Sequence, residues 1–258
     1  MPIKTPHFWT ELSWQSVILF PVSYIWRFGH YAQQKILNTK ETEIPVICVG
    51  NLTVGGSGKT PVVITLCRFL SGIGKSTSIL TRGFGGKEKG PIFVSTNLHQ
   101  SLDVGDEPLM MAHSLDVCVS RNRPLGANHI LDKKKYDCIV MDDGLQNPTL
   151  KKDLNIAVFD GKFGIGNGFL LPAGPMRQKL EVGIQNIDLV IFNGKDETGL
   201  GQKIPPHIPI FTGELQPDEE IVEKMKNRRV YGFAGIGNPS RFFKTLNNIG
   251  ANLVGEAH

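Results

Sequence analysis

Short apolar runs recur along the chain, and glycine-rich, proline-rich or acidic turns separate them from segments with helical spacing. Runs of this length that are rich in Val and Ile predict buried strands of a parallel sheet. Strands that alternate with helices predict an α/β fold, because each parallel pair needs a crossover connection. The predicted strands are 46–49, 76–81, 115–120, 136–141, 154–160, 187–193 and 230–234, and the predicted helices are 61–70, 123–132 and 239–248.

The first strand ends in a glycine-rich turn that is followed by a lysine and a threonine. Gly55, Gly56 and Gly58 have no side chains, so successive backbone N–H groups of this turn can point at phosphate oxygens. The N-terminus of the next helix adds partial positive charge. Lys59 is placed to reach the β- and γ-phosphates of a nucleotide, and the Thr60 hydroxyl is placed to ligate Mg²⁺.

This loop departs from the usual G-x-x-x-x-G-K-[ST] pattern, because Thr53 stands at its first position. An ordinary glycine-rich turn with an exposed lysine is therefore the alternative. The strand before the turn, the helix after it and the glycines between favour phosphate binding. The predicted nucleotide-binding residues are Thr53, Val54, Gly55, Gly56, Ser57, Gly58, Lys59 and Thr60.

Acidic residues stand at two further turns. Asp106 and Glu107 begin a short predicted helix, where Asp106 as an N-cap is the simpler explanation and a base for an acceptor hydroxyl is the chemical one. Asp142 and Asp143 follow the strand predicted at 136–141, as in the second Mg²⁺-handling strand of phosphate-loop proteins, although an Asp-Asp-Gly turn also caps strands. Beside a glycine-rich loop, we expect one of this pair near Mg²⁺.

Three other segments are candidates for binding or organisation. Arg82 follows a predicted strand at the edge where open α/β sheets bind ligands, so it is either a phosphate clamp or a solvated loop cation. Residues 161–177 are too rich in glycine and proline for regular structure, and such long connections tend to be functional or mobile. Residues 201–217 are a candidate domain boundary.

The N-terminal residues 12–26 carry no charge, and their apolar positions follow helical spacing. The run is shorter than the roughly 20 residues that span a bilayer, and Pro21 would kink it. No small-residue cleavage site follows, which argues against a secretory signal. Two interpretations remain, a helix packed on the core and a helix lying in the membrane interface.

Composition and charge exclude several classes of function. The net charge is only +4, and no run of Lys and Arg is long enough to predict nucleic-acid binding. The four cysteines are scattered without a C-x-x-C pair. We therefore expect reduced core cysteines in a cytosolic compartment rather than a metal or redox site.

Six motifs together are more specific than any one of them. In order along the chain they are VGNLTVGGSGKTP, TRGFGG, GDEP, DDGLQ, LPAGPMR and GFAGIGNPSRF. Over nearly the whole chain this series resembles the tetraacyldisaccharide 4'-kinase family, whose phosphate loop likewise lacks the first glycine. We therefore predict a P-loop NTPase-like three-layer α/β/α fold with an N-terminal amphipathic helix and an incomplete second α/β lobe. The predicted divisions are a membrane-associated helical segment at 1–40, a kinase core at 41–215 and the start of a second lobe at 216–258.

The resemblance also implies a reaction and a place. The implied enzyme transfers the γ-phosphoryl group of ATP, with Mg²⁺, to the 4'-hydroxyl of tetraacyldisaccharide 1-phosphate, which forms lipid IVA in lipid A biosynthesis. It implies peripheral attachment to the cytoplasmic face of the bacterial inner membrane, which favours the interfacial interpretation of the N-terminal helix. No nucleic-acid or protein partner is predicted.

The resemblance assigns roles by position in the motifs. Asp106 is similar to the family's catalytic base, with Glu107 beside it, and this raises Asp106 from a helix cap to an expected base. Asp142 and Asp143 fall on the acidic metal-site pair. Lys59 serves the phosphates. The residues expected around the phosphates and the lipid substrate are Arg82, Glu107, Arg123, Gln146 and Arg177.

The sequence departs from the family in places. Phe84 and Leu145 stand where tyrosine and phenylalanine are common. The family continues past GEAH with a Phe-Pro-Asp-His segment whose histidine pairs with the catalytic aspartate. We therefore expect a chain truncated relative to the family, and the catalytic role does not pass to His258.

Two alternatives to a kinase remain at this point. A nucleotide-switch ATPase or GTPase also has a phosphate loop and a Mg²⁺ aspartate, but Asn193-Gly194-Lys195-Asp196 lacks the spacing of a guanine-reading element. A membrane-associated nucleotide-binding module without catalytic activity is the other. Lipid-dependent release of ADP separates the kinase from both.

Overall fold

The computed structural model describes residues 6–36, 38–235 and 239–257. Its helices are α1 (Trp14–Ile36), α2 (Lys59–Gly72), α3 (Ser101–Val104), α4 (Asp106–Met111), α5 (Arg123–Leu131), α6 (Leu180–Gly183), α7 (Glu219–Met225) and α8 (Pro239–Asn248). Its strands are β1 (Val46–Gly50), β2 (Thr77–Thr81), β3 (Ile92–Phe93), β4 (Val117–Val119), β5 (Cys138–Asp142), β6 (Leu154–Asp160), β7 (Leu189–Asn193), β8 (Ile210–Gly213), β9 (Arg229–Phe233) and β10 (Asn252–Ala257).

The first eight strands form one sheet in the order β3-β4-β2-β5-β1-β6-β7-β8. Every neighbouring pair is parallel except β3 and β4. The carboxyl ends of the parallel strands therefore meet at one edge of the sheet, where open α/β sheets bind ligands. Strands β9 and β10 pair separately, as a parallel two-stranded sheet.

Helices cover both faces of the large sheet, because alternate residues of each strand point to opposite sides. Val49 and Val140 face one side and pack with α2 through Val63. Cys48 and its neighbours face the other side and pack with α5. All four cysteines are free and buried. This arrangement is the three-layer α/β/α fold that the sequence predicts.

Several elements differ from the sequence prediction, and helices α3, α6 and α7 were not predicted. The two-residue strand β3 is too short for a visible pattern, β8 is an exposed edge strand inside the proline-rich segment 201–217, and β10 was not predicted. Helix α2 begins at Lys59, not at Pro61, because proline needs no N–H partner in a first helical turn. The division at residue 215 stays a prediction, and residues 236–238 and His258 lie outside the described residues.

Helix α1 extends beyond the predicted 12–26 and turns its polar side inward. Ser16 and Ser23 are buried, and the Ser23 hydroxyl donates to the carbonyl of Leu170 at 2.9 Å. Ile18 and Ile25 are instead 64% and 73% exposed. The helix therefore packs on the protein, as one of the two interpretations expects, but through its polar side, and its apolar stripe faces outward. Among the described residues, no helix has both the length and the apolar character needed to cross a membrane.

Candidate active site

The glycine-rich loop connects the end of β1 to the start of α2. Gly55 and Gly58 have φ angles of +124° and +82°, a region that L side chains rarely adopt. Gly58 is also the N-cap of α2, so Lys59 and Thr60 lie in the first helical turn with its unpaired N–H groups. A Cβ on Gly55 would meet nothing within 4 Å, which leaves open space above the loop. The loop therefore has the shape and the donors of a phosphate cradle.

The segment 161–177 is tied to this loop. The Val54 N–H donates to the carbonyl of Pro175 at 2.8 Å, and the Arg177 N–H donates to the carbonyl of Leu52 at 2.8 Å. Thr53 forms an antiparallel bridge with Met176 between these two bonds. The fixed backbone pairing carries the Arg177 side chain to the site, which favours the functional interpretation of this segment over a mobile one.

Arg177 and Lys59 both approach the carboxylate of Asp143. Two guanidinium nitrogens of Arg177 lie 2.9 and 3.1 Å from the two Asp143 oxygens, and Lys59 Nζ lies 3.8 Å from Oδ1. Burial raises the pKa of Asp143, but the Lys59 and Arg177 cations outweigh it and hold this pKa below its usual value. Gln146 completes the network, since it accepts from Arg177 at 3.1 Å and donates to the carbonyl of Asn51 at 2.8 Å.

Asp142 occupies a more buried position at the end of β5. The Thr81 hydroxyl donates to its carboxylate at 3.2 Å, and Arg123 donates to its backbone carbonyl at 3.2 Å. Burial raises the pKa of Asp142 to about 6, and the nearby carboxylates of Asp143 and Glu107 add to the shift. The buried guanidinium of Arg123 also donates to the carbonyl of Ser120 at 3.0 Å. Arg123 therefore holds the carboxyl end of β5 in place through its hydrogen bonds.

Asp106 and Glu107 take different positions at the start of α4. The Thr60 hydroxyl donates to Glu107 at 3.1 Å, which joins the first turns of α2 and α4. Asp106 is exposed in the same turn. Asp106 as an N-cap is wrong, because Gly105 is the N-cap of α4 without a side-chain bond. A Cβ on Gly105 would collide with the carbonyl of Phe84, so a side chain does not fit at the cap.

The donor set of the site suits Mg²⁺ that is shared with a nucleotide. Among the described residues, no group of three or more His, Cys, Asp and Glu side chains forms a complete metal site. Mg²⁺ commonly binds one or two carboxylates together with phosphate oxygens and water, and does not need a cage of protein ligands. Asp142, Asp143 and the Thr60 hydroxyl fit that role, because a cation beside them offsets the repulsion among the carboxylates.

A cleft of about 1410 Å³ opens over these groups. It runs from the phosphate loop to residues 38–42 and 147–150. Among the described residues, Glu107 and Pro108 line it, whereas Asp106 does not. Sequence reasoning missed Thr81 and Arg121 as lining residues, although both stand at strand ends. The predicted site residues that line it are Val54, Lys59, Arg82, Glu107, Arg123, Asp142, Asp143, Gln146 and Arg177.

The raised pKa of Asp142 predicts that its ionised form destabilises the metal-free protein. Its folded-state pKa of about 6 lies above the ordinary 3.8, so the stabilising contribution of the protonated group is present below about pH 4 and is lost as the pH rises through 6. The shift corresponds to about 3 kcal/mol. Asp142→Asn is expected to raise the free energy of unfolding at about pH 7.5 by up to this amount, since the amide carries no charge.

Urea unfolding without Mg²⁺, at about pH 4 and about pH 7.5, measures this effect. The difference between wild type and variant is expected to shrink towards pH 4. Adding Mg²⁺ with ADP is expected to stabilise the wild type more than Asp142→Asn, because ligand binding favours the folded state. A stability difference that is independent of pH would contradict the assigned electrostatic cause.

The fold and the site define a P-loop nucleotide-binding protein, with two adjacent aspartates at the strand end next to the loop. A family model described as "Tetraacyldisaccharide-1-P 4'-kinase" matches residues 15–258. The chain belongs to this family, as the series of motifs predicts.

Individual relatives agree with the family match. A tetraacyldisaccharide 4'-kinase of Bradyrhizobium sp. (strain BTAi1) is 41% identical, over 98% of this chain and 74% of the relative. That of Rhodospirillum rubrum is 40% identical, over 98% of this chain and 77% of the relative. The crystal structure of LpxK from Aquifex aeolicus in complex with ATP matches with a TM-score of 0.73 at 28% identity, over 94% of this chain and 81% of that one.

Proposed function

We propose that this chain is an ATP-dependent lipid kinase that transfers the γ-phosphoryl group to the 4'-hydroxyl of tetraacyldisaccharide 1-phosphate, with Mg²⁺. The product is lipid IVA, in lipid A biosynthesis. Family membership supports the substrate and the reaction. The observation that carries the mechanism is the convergence of Lys59, Asp143 and Arg177 beside the phosphate loop. Phosphoryl transfer needs this kind of positioning and charge neutralisation more than covalent chemistry.

Each group of the site has a role in this proposal. The loop N–H groups and Lys59 hold the β- and γ-phosphates, and Thr60 with Asp142 or Asp143 holds the metal. Bound Mg²⁺ neutralises phosphate charge. Arg177 lies between Asp143 and Gln146, and so brings a second fixed positive charge to the site.

Arg82 and Arg123 have different roles in this proposal, one in binding substrate and the other in holding Asp142 in place. Arg82 is exposed and lines the cleft, so it is free to approach the phosphates or the lipid head group. Arg123 is buried and donates to the carbonyls of Ser120 and Asp142. We assign Arg123 chiefly to holding Asp142 in place. Its positive charge still lies at the cleft wall, where it adds to the field that attracts phosphate.

Asp106 is the proposed base that takes the proton from the attacking sugar hydroxyl. Its exposure leaves its carboxylate open to an acceptor that arrives from outside. Glu107 instead accepts from Thr60, so its carboxylate is directed to the metal side of the site. In this proposal Asp106 therefore acts on the acceptor sugar, and Glu107 acts on the side of the metal and the nucleotide.

The proposed location is the cytoplasmic face of the bacterial inner membrane, with peripheral attachment. The support is the apolar outer face of α1, on which Trp14, Val17 and Ile25 are each more than half exposed. The opposite face packs on the protein through Ser16 and Ser23. A helix with its apolar side outward and tryptophan near its start is suited to lie in the interface. There it keeps the site within reach of an acylated substrate.

Charged residues on this face are expected to weaken membrane binding. Burying an isoleucine side chain contributes about 1.5–3 kcal/mol, so Ile18→Asp and Ile25→Asp should each lower partitioning onto vesicles about tenfold or more. Co-sedimentation with vesicles that contain anionic phospholipids measures this. Ile73→Asp is the matched control, because Ile73 is the C-cap that follows α2 and is 60% exposed. Equal binding by Ile18→Asp, Ile25→Asp and Ile73→Asp would count against α1 as the anchor.

A radiolabelled-ATP assay with the disaccharide lipid in detergent micelles tests the reaction. Transfer of label to the lipid, with ADP release that depends on the lipid, is the expected result. ADP release stimulated by a protein partner in the absence of lipid would favour a nucleotide switch. Binding of Mg²⁺ and ATP without any transfer would favour a nucleotide-binding module.

A further inference from the structure

Two buried asparagines hold one residue of the phosphate loop. Asn51 Nδ2 donates to the Ser57 hydroxyl at 3.1 Å, and Asn193 Nδ2 donates to the Ser57 carbonyl at 3.3 Å. Asn51, Ser57 and Asn193 are all buried. Their contacts with Ser57 therefore lie away from solvent, where a hydrogen bond is stronger than at the surface.

The two amides come from different strands that meet at the same edge of the sheet. Asn51 directly follows β1, and Asn193 is the last residue of β7. Strand β6 lies between β1 and β7 in the sheet. The loop is thus fixed on one side by Asn51, directly after β1, and on the other by Asn193, which lies 136 residues after Ser57 in the chain.

Asn193 also packs against Gly58, the N-cap residue of α2. A Cβ placed on Gly58 would overlap the amide nitrogen of Asn193. Gly58 has a φ of +82° and is the N-cap of α2. The Asn193 amide therefore occupies the space beneath this turn, and contacts the peptide that joins Ser57 to Gly58.

The direction of this peptide decides what the loop offers to a ligand. In a trans peptide the C=O and the N–H point in opposite directions. Because the Ser57 carbonyl faces Asn193, the N–H of Gly58 points away from Asn193. Rotating the peptide would exchange a donor for an acceptor in the phosphate cradle.

We propose that Asn51 and Asn193 are positioning residues that preset the Ser57–Gly58 peptide for triphosphate binding. Neither residue needs to touch the nucleotide. The inference rests on the proposed function, because it takes this loop as the nucleotide site. Presetting lowers the cost of ordering the loop when ATP arrives, so it acts on nucleotide affinity.

Substitutions at Asn193 separate hydrogen bonding from space filling. Asn193→Ala removes the donor and leaves a buried carbonyl unpaired, and is expected to weaken ADP and ATP binding about tenfold. Asn193→Asp keeps the shape but directs a carboxylate oxygen at the Ser57 carbonyl, so its loss should be at least as large. A space-filling role predicts the reverse order, with Asn193→Asp close to wild type. Asn51→Ala is expected to give a smaller loss, because Asn51 bonds to the rotatable Ser57 hydroxyl and not to the peptide itself.

Calorimetric titration with Mg²⁺ and ADP gives the affinities, and steady-state assays give KM for ATP and for the lipid separately. The expected pattern is a raised KM for ATP with an unchanged KM for the lipid. Asn155→Ala is the matched control, since Asn155 lies near the start of β6, at the opposite edge of the sheet. Thermal unfolding of every variant reports loss of fold.

The outcomes distinguish this inference from the proposed function. If wild type fails to bind ADP or ATP, the proposed function fails. If wild type binds and a folded Asn193→Asp binds equally well, the positioning role is overturned. An equal rise in the KM values for ATP and lipid would also overturn it, because that result indicates a general structural defect.

Discussion

Asp106→Asn is expected to lower kcat by about 10²–10⁴, the range that a general base contributes. The affinity for Mg²⁺ and ATP should not change, because Asp106 does not line the cleft that opens over the phosphate loop. The fall in kcat is expected because the amide that replaces the Asp106 carboxylate in this variant cannot take a proton from the sugar hydroxyl. Label transfer from ATP to the lipid in micelles gives kcat, and calorimetric titration gives the affinity.

Glu107→Gln is the matched control for Asp106, since the two acids are adjacent in the first turn of α4. Glu107 accepts a hydrogen bond from Thr60, so losing its carboxylate should weaken the binding of Mg²⁺ and nucleotide rather than slow proton transfer. Asp106→Glu should recover part of the rate, because it restores a carboxylate. If Asp106→Asn matches wild type and Glu107→Gln loses kcat at unchanged nucleotide affinity, the base is Glu107 instead.

Lys59→Met is expected to lower kcat by about 10²–10³, the size of effect seen when one fixed donor to a developing charge is removed. Two changes act in the same direction. The phosphates lose the ammonium group, and Asp143 loses the cation 3.8 Å from its carboxylate. Asp143 then keeps only the Arg177 cation, so its carboxylate repels the triphosphate more strongly. The same label-transfer assay measures the loss.

Lys75→Met is the control for removing a lysine charge, because Lys75 pairs with Asp137 on the exposed surface at 3.7 Å. Its rate should stay near that of wild type. Lys59→Arg keeps the positive charge and is expected to retain more activity than Lys59→Met. Full activity of Lys59→Met would remove Lys59 from the phosphate site and with it the proposed mechanism.

The phosphate loop was predictable from the sequence because its determinants are local. Gly55, Gly58 and Lys59 are neighbours in the chain, so their spacing alone predicted the turn, although the helix begins at Lys59 and not at the predicted Pro61. The pair Asp142 and Asp143 was predictable for a related reason, since it lies at the carboxyl end of the apolar strand β5. The sheet itself followed from the alternation of strands and helices.

The functions of other residues depended on which strand lies beside which. Asn193 meets Ser57 only because β7 lies one strand away from β1, across β6. Arg177 reaches Asp143 only because the segment 161–177 pairs with the phosphate loop. The spacing of residues in the sequence does not predict these two contacts, because each contact joins residues that are far apart in the chain.

By itself, the sequence determined the α/β class, the phosphate loop and the acidic strand ends, because periodicity and local turn chemistry encode them. Only the tertiary structure decided which side of α1 faces the protein, and that Glu107 and not Asp106 contacts Thr60. It also showed that two distant asparagines hold the loop. These features depend on packing between separate elements. The sequence pattern along one helix or strand does not determine which other element packs against it.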